Sequence, residues 1–384
     1  MTDAGESAGR MNRLQAQMAE AGVELVAIAP TPNMRYLLGF APLADERLCL
    51  LLVTPQGTRL VAPKLTADQI QARTGMEAIR WSDDTGPRQV LTEAVSALGT
   101  GSGGVLAADA AMRADALLLL QETIDPQRCL TSEEMMSALR MRKSEEEIEA
   151  LALAAAQADR ALMVGADACQ PGVMEREVAE KIANYFRQDG AEAVDVTLVA
   201  SGPNSAFPHH EAGDRRLQVG DTIIIDIVAT LDGYKSDVTR VVHLGEPSPQ
   251  VRAVHEIVLE ANRRGREAAV AGATARDVDR AARAVIEQAG YGPYFIHRTG
   301  HGLGMEVHEA PWISAGSTTM LEPGMVFSVE PGIYLEGQFG IRIEDIVVVT
   351  DPSTAPFDSA QDELRTGGEC RCLTGLDRAL IVKP

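Results

Sequence analysis

From Met11 to about Met141, short apolar runs alternate with amphipathic stretches. VELVAIAP and RLCLLLVTPQGTRLVAP have the length and apolar density of strands, and Pro55 to Gly57 supplies a turn inside the second. PRQVLTEAVSAL and RADALLLLQETI carry their apolar residues at helical spacing, with GGVLAADA as a strand between them. This pattern predicts a small α/β domain over residues 11–142. Its glycine-rich run, Thr100 to Gly104, precedes a strand instead of joining a strand to a helix, so it does not read as a phosphate loop.

The pattern changes at Lys143. Ser144 followed by Glu147 is a capping-box signature, and the long helical period of EEEIEALALAAAQADRALMVG opens a second domain, residues 143–384. The acidic first turn complements the helix dipole. Within this domain Gly172, Arg176, Val178, Gln188 and Gly190 recur one hundred positions later as Gly272, Arg276, Val278, Gln288 and Gly290. Both copies are helical patterns with a glycine stop. At a drifting offset HHEAG precedes LQVGDTIIID, and VHEAP precedes LEPGMVFSVE, each an apolar strand that ends in a carboxylate. The expected architecture is an α+β domain of two related halves about a pseudo-twofold axis.

Bulk composition narrows the partners. The chain has 384 residues, enough for two cores, and its 35 basic and 55 acidic residues leave a net charge of −20 with a pI near 4.8. That balance gives no basic footprint for nucleic acid or an anionic membrane. The opening MTDAGESAGRM lacks the pattern of a secretory signal, and no apolar run approaches the roughly 18 residues of a span, so a cytoplasmic protein is expected. Five scattered cysteines do not form a disulfide framework, and Cys370 and Cys372, lacking a second pair nearby, read as ordinary loop thiols and not a metal site.

The strand carboxylates change the picture. In DTIIIDIVATLDGYKSDVTRVVHL a hairpin centred between Leu231 and Asp232 would set Asp226 directly opposite Asp237, about 5 Å apart at Cβ. In MVFSVEPGIYLEGQFGIRIEDIVVV a hairpin centred at Gly337 would set Glu330 opposite Glu344, with Pro331 marking an edge or bulge. Each acid alone reads as a solvated strand residue. Four of them, paired in register and brought together by the pseudo-symmetry, require bound cations or shifted protonation.

Seven histidines occur in the chain, and His297, His301 and His308 cluster in HRTGHGLGMEVHE, while His209 and His210 hold the matching place in the first half. The His308-Glu309 pair is not the helical metalloprotease motif, because Trp312 stands where the second histidine belongs. Gly300, Gly302 and Gly304 lack the spacing of a dinucleotide fingerprint and read as slack that lets the backbone pass close to metals. A nitrogen ligand joined to four carboxylates suits a two-metal hydrolase.

SGPNSAFPHH, IDIVATLDGYKSDVTR, HRTGHGLGMEVHE, SVEPGIY and IRIEDIV together resemble the pita-bread metallopeptidases, in the branch of prolidase and aminopeptidase P, with the likeness running from about Asn12 to Lys383. The resemblance implies a creatinase-like α/β N-terminal domain and a pita-bread catalytic domain. It implies that Asp226, Asp237, His301, Glu330 and Glu344 bind two divalent metal ions, manganese first, with cobalt or zinc as alternatives, and that Asp237 and Glu344 bridge them. His308 and His209 would contact the substrate, His297 would line the pocket, Arg342 would support the site, and Glu330 would take a proton from the attacking water. The implied reaction is hydrolysis of Xaa-Pro bonds in short proline-containing peptides by a homodimer.

The chain departs from that pattern at Val228, where glycine is usual, and in the long polar stretch Asp351 to Cys372; it also lacks a long insertion between Glu330 and Glu344. The alternative readings are a non-peptidase hydrolase of the same fold resembling creatinase or ectoine hydrolase, and a binding module with a degenerate site.

Overall fold

In the computed structural model the described residues, 4–100, 103–351 and 370–384, divide into two compact units with the break between Arg140 and Met141. The first unit is built on a mixed six-stranded sheet. Its strands are β1 (Leu25–Ile28), β2 (Leu50–Thr54), β3 (Gly57–Pro63), β4 (Ala78–Trp81), β5 (Val105–Ala108) and β6 (Arg128–Thr131), in spatial order β4-β3-β2-β1-β5-β6. The helices are α1 (Ala4–Ala21), α2 (Pro32–Leu38), α3 (Lys64–Thr74), α4 (Arg88–Ala97), α5 (Ala114–Ile124) and α6 (Glu133–Arg140). The expected hairpin is β2-β3, and the expected helices are α4 and α5, whose Leu91, Ala94, Leu120 and Ile124 close over Leu25, Leu50 and Leu106. The run from Thr100 leads into β5 as expected, although residues 101 and 102 lie outside the described residues.

The second unit opens on α7 (Glu145–Ala168), where Ser144 Oγ accepts from the Glu147 amide and Glu147 reaches back to the Ser144 amide, completing the capping box. Helix α8 (Glu175–Gln188) follows, then strands β7 (Ala193–Ser201), β8 (Thr222–Leu231), β9 (Tyr234–Lys235) and β10 (Val238–Leu244). The pattern then repeats with α9 (Pro249–Ala268), α10 (Ala275–Gln288), β11 (Gly300–Gly302), β12 (Glu309–Ile313), β13 (Val326–Val329), β14 (Gly332–Leu335), β15 (Phe339–Arg342) and β16 (Asp345–Val349). Two short strands near the C-terminus, β17 (Cys370–Cys372) and β18 (Ile381–Lys383), complete the two larger sheets, ordered β18-β10-β8-β7 and β12-β11-β13-β16-β17; β14 and β15 form a separate pair.

The pseudo-repeat extends to backbone detail. Helices α8 and α10 are both 14 residues long and offset by one hundred positions. Gly172 and Gly272 both have left-handed backbones, at φ 89° and 85°, and donate to the carbonyls of Leu217 and Leu321. Glu177 and Asp277 both reach back to the amide before their helix. Alternation along β8 then assigns the faces. Ile223, Ile225 and Ile227 pack with Ala161, Leu162, Val178, Ile182 and Phe186 of α7 and α8, which leaves Asp226 with Ile224 and Val228 on the other side.

Two expectations change. The first hairpin turns at Asp232 and Gly233, both with positive φ (50° and 85°), so its centre lies one residue later than expected. Asp226 consequently stands opposite Thr239, and the register sets Val228 opposite Asp237, making the two aspartates diagonal neighbours. Cys370 and Cys372 are not loop thiols: they form a strand paired to β16, with Cys370 Sγ donating to the Arg266 carbonyl at 3.0 Å. Residues 352–369 of the long polar stretch lie outside the described residues.

Candidate functional site

The second hairpin keeps the expected register. Val329 pairs with Asp345 and Gly332 with Arg342, so Glu330 faces Glu344 across a ladder that breaks at Pro331, where the strands pass from one sheet to the next. Thr239 bridges to Glu344, joining the two halves at this break. All nine residues singled out in the sequence, Asp226, Asp237, His209, His297, His301, His308, Glu330, Arg342 and Glu344, line one groove.

At its floor, ligand atoms of Asp237, His301 and Glu344 lie within 4.8 Å of one another, and all three residues are buried. His301 Nε2 lies 3.2 Å from Glu330 Oε1 and 3.8 Å from Asp237 Oδ2. Its Nδ1 faces the Gly302 carbonyl at 3.2 Å, and a carbonyl only accepts, so Nδ1 carries the proton. Nε2 is then the ring atom turned toward the carboxylates, a donor to Glu330 in the metal-free protein and the lone pair offered to a bound cation. Asp226 is held by Arg342, whose Nη2 lies 2.5 Å from Oδ2.

The electrostatics agree. Burial pushes the carboxyls of Asp237 and Glu344 well above the usual range, and the neighbouring carboxylates push them further. Burial also opposes ionisation of Glu330, yet its bond with His301 and the nearby positive groups bring it down to about 2. Among the described residues Arg342 pairs with Asp226 alone of the four carboxylates, and a donor set of carboxylates and one imidazole fits hard or borderline divalent ions. Burial, then the neighbouring His301 and Arg298, lower the His308 imidazole to about 4; the His301 and His308 rings meet edge to face at 4.3 Å.

Three supporting residues carried no role in the sequence reading. Tyr334 Oη joins His297 Nε2 at 2.9 Å and accepts from Arg342 Nη1 at 2.8 Å, and burial pushes its phenol up to about 12. Thr239 Oγ1 donates to Glu344 Oε2 at 2.7 Å. Ser328 Oγ accepts from the His301 amide at 3.1 Å and donates to Glu330 Oε1 at 3.2 Å. Tyr334 and Ser328 lie within SVEPGIY and Thr239 within SDVTR, so position in the motifs was the available signal.

His209 and His210 part company. Both line the groove, but His210 Nε2 is tied to buried Glu175 at 2.9 Å, while His209 is exposed. The glycines of the histidine cluster are required by their protein neighbours: a Cβ at Gly300 would sit 1.9 Å from the Ser328 carbonyl, and one at Gly302 would sit 2.1 Å from that of Ala310. Glu309, which had no assigned part, forms a buried ion pair with Lys143 at 2.7 Å.

Comparison with known proteins accounts for both units. Residues 10–142 match the creatinase/prolidase N-terminal domain, and residues 136–351 match metallopeptidase family M24. The chain is 38% identical over 368 residues to a probable dipeptidase PepE of Mycobacterium tuberculosis, covering 94% of this chain and 97% of that one. It is 34% identical over 359 residues to an Xaa-Pro dipeptidase of Pyrococcus furiosus, covering 92% and 99%. A prolidase from Thermococcus sibiricus superposes with a TM-score of 0.90 at 36% identity over 100% of both chains. The repeated α+β architecture, the carboxylate and histidine cluster and these likenesses place the chain in metallopeptidase family M24.

Proposed function

We propose that the protein hydrolyses Xaa-Pro bonds in short peptides, using two divalent ions held by Asp226, Asp237, His301, Glu330 and Glu344, with Asp237 and Glu344 shared between them. The observation that carries this reading is the convergence of buried Asp237, His301 and Glu344 ligand atoms within 4.8 Å. The names of the relatives, Xaa-Pro dipeptidase and prolidase, support the substrate class. Bound ions would polarise the scissile carbonyl and acidify a water at neutral pH.

The chain's own groups do the rest. Ser328 Oγ orients Glu330 Oε1, which takes the proton of the attacking water. A proline nitrogen leaves as an amine only when protonated, and Glu330, carrying the proton taken from the water, is placed to supply it. His308 is neutral at neutral pH, so its N–H stabilises the developing oxyanion as a hydrogen-bond donor without adding charge. His209 flanks the substrate from the opposite half of the repeat, His297 is fixed by Tyr334, and Arg342 holds Asp226.

The oxygen-rich donor set favours manganese, with cobalt or zinc as alternatives. The odd number of scattered cysteines fits a reducing, cytoplasmic compartment. A homodimer and the functional boundary at residues 142/143 complete the reading; analytical ultracentrifugation and expression of the separate segments test them. The decisive experiment measures metal content of protein purified without chelator together with Ala-Pro hydrolysis. Fewer than about one ion per chain, with turnover indifferent to chelation, overturns the reading.

A further inference from the structure

Four arginines line the groove, and three have partners that explain them. Arg342 holds Asp226, Arg176 pairs with Asp214, and exposed Arg187 donates to the Asn184 side chain. Arg298 differs. Among the described residues no carboxylate pairs with it and no acceptor takes its guanidinium protons. Its guanidinium carbon lies 4.4 Å from the Trp312 ring centre, so one face is covered by an aromatic surface that offers no hydrogen bonds.

A half-buried guanidinium in this state has given up hydration without an ionic partner in return, and burial lowers its pKa. It also belongs to the reaction zone. Arg298 directly follows His297 and precedes His301 by three residues, and its charge is felt at both Glu330 and His308. A planar fork stacked on a ring is pre-organised to accept a carboxylate through two parallel hydrogen bonds.

We propose that Arg298 is a specificity-determining residue that receives a carboxylate of the substrate beside the scissile bond. The inference rests on the Xaa-Pro reading of the site. Two sources offer the same chemistry: the free C-terminal carboxylate of an Xaa-Pro dipeptide, and an acidic Xaa side chain. The first makes the enzyme a dipeptidase that discriminates against longer chains; the second gives it a preference for acidic Xaa residues.

The test compares wild type, Arg298→Lys and Arg298→Ala on Ala-Pro, Ala-Pro amide and Asp-Pro under added manganese. Ratios of kcat/KM within each protein cancel any general loss of active enzyme. If the C-terminal carboxylate is the ligand, wild type prefers Ala-Pro to its amide, and Arg298→Ala lowers that ratio by about 10- to 100-fold. If the acidic side chain is the ligand, the Asp-Pro to Ala-Pro ratio falls by a similar factor instead. Arg298→Lys retains part of either preference, because charge survives without the fork. Both ratios unchanged in Arg298→Ala overturn the proposal, leaving Arg298 a structural partner of Trp312. Failure of wild type to cleave any of the three overturns the Xaa-Pro reading itself, and this inference with it.

Discussion

Thr239 and Glu344 close a two-bond ring across the seam of the repeat: the threonine hydroxyl donates to Glu344 Oε2 at 2.7 Å, and the Glu344 amide donates to the Thr239 carbonyl at 3.2 Å. Arg342 Nε donates to the same hydroxyl at 3.3 Å. One hydroxyl can donate once and accept at the same time, so Thr239 ties the guanidinium that holds Asp226 to the carboxylate of Glu344. Thr239→Val keeps the shape and the backbone bond and removes the two bonds of the hydroxyl, to Glu344 and from Arg342. Manganese affinity is expected to fall about 10- to 100-fold, as for other groups that orient a metal ligand. Calorimetric titration checks this; an unchanged affinity would remove Glu344 from the ligand set.

Stripping the metal leaves four carboxylates converging on a single paired guanidinium, that of Arg342 on Asp226. Asp237→Asn removes one charge from the centre of that cluster while retaining size. Xaa-Pro hydrolysis is expected to disappear, yet the metal-free variant should be more stable than metal-free wild type by about 1–3 kcal/mol, because like-charge repulsion and desolvation are both relieved. Urea unfolding of the two chelated proteins measures the difference. A variant less stable than wild type would show that Asp237 is stabilised by partners other than a cation.

The two halves of the site were not equally legible in the sequence. Glu330 and Glu344 were placed correctly opposite one another because Gly337 fixes a symmetric hairpin tip and the register survives the break at Pro331. Asp226 and Asp237 were displaced by one turn position, since Asp232 adopts a left-handed conformation that an aspartate tolerates but that its identity alone does not demand. The repeat itself was visible as recurring glycines, and their positive φ values show why those positions recur. Partners brought together from distant segments, such as Tyr334 with His297 or Lys143 with Glu309, leave no local periodicity to read.

That last pair carries its own prediction. Lys143 and Glu309 are 2% and 7% exposed at their side chains, and Glu309 directly follows His308. A Cβ at Gly304 would lie 2.6 Å from Glu309 Oε1, so the glycine-rich loop folds closely around this ion pair. Removing Lys143 takes the buried Glu309 carboxylate's ion-pair partner away in the interior. Lys143→Met is expected to cost about 3–5 kcal/mol in denaturant unfolding, and adding Glu309→Gln should recover part of the loss. A loss below about 1 kcal/mol, the range of a surface pair, would contradict a buried role.

Glu175 predicts a pH dependence outside the metal cluster. This fully buried carboxylate accepts from the Ser201 amide and hydroxyl at 2.8 and 2.6 Å, from Asn204 at 3.0 Å and from the Gly213 amide at 3.2 Å, and its second oxygen meets His210. Burial alone would raise its pKa, but these donors outweigh burial and hold it below the ordinary glutamate range. A depressed folded pKa contributes stability above the unfolded value and loses it as pH falls through the folded one. Glu175→Gln should therefore be about 2–3 kcal/mol less stable than wild type at pH 7, with the gap closing below about pH 4 as wild type loses its own advantage. Metal-free protein is the proper sample, so that acid release of ions does not enter. Because Glu175 also anchors the segment carrying His209 and His210, the same variant should lower kcat/KM for Ala-Pro at neutral pH; a stability gap constant across the acid range would mean that the carboxylate's charge has no part in holding that segment.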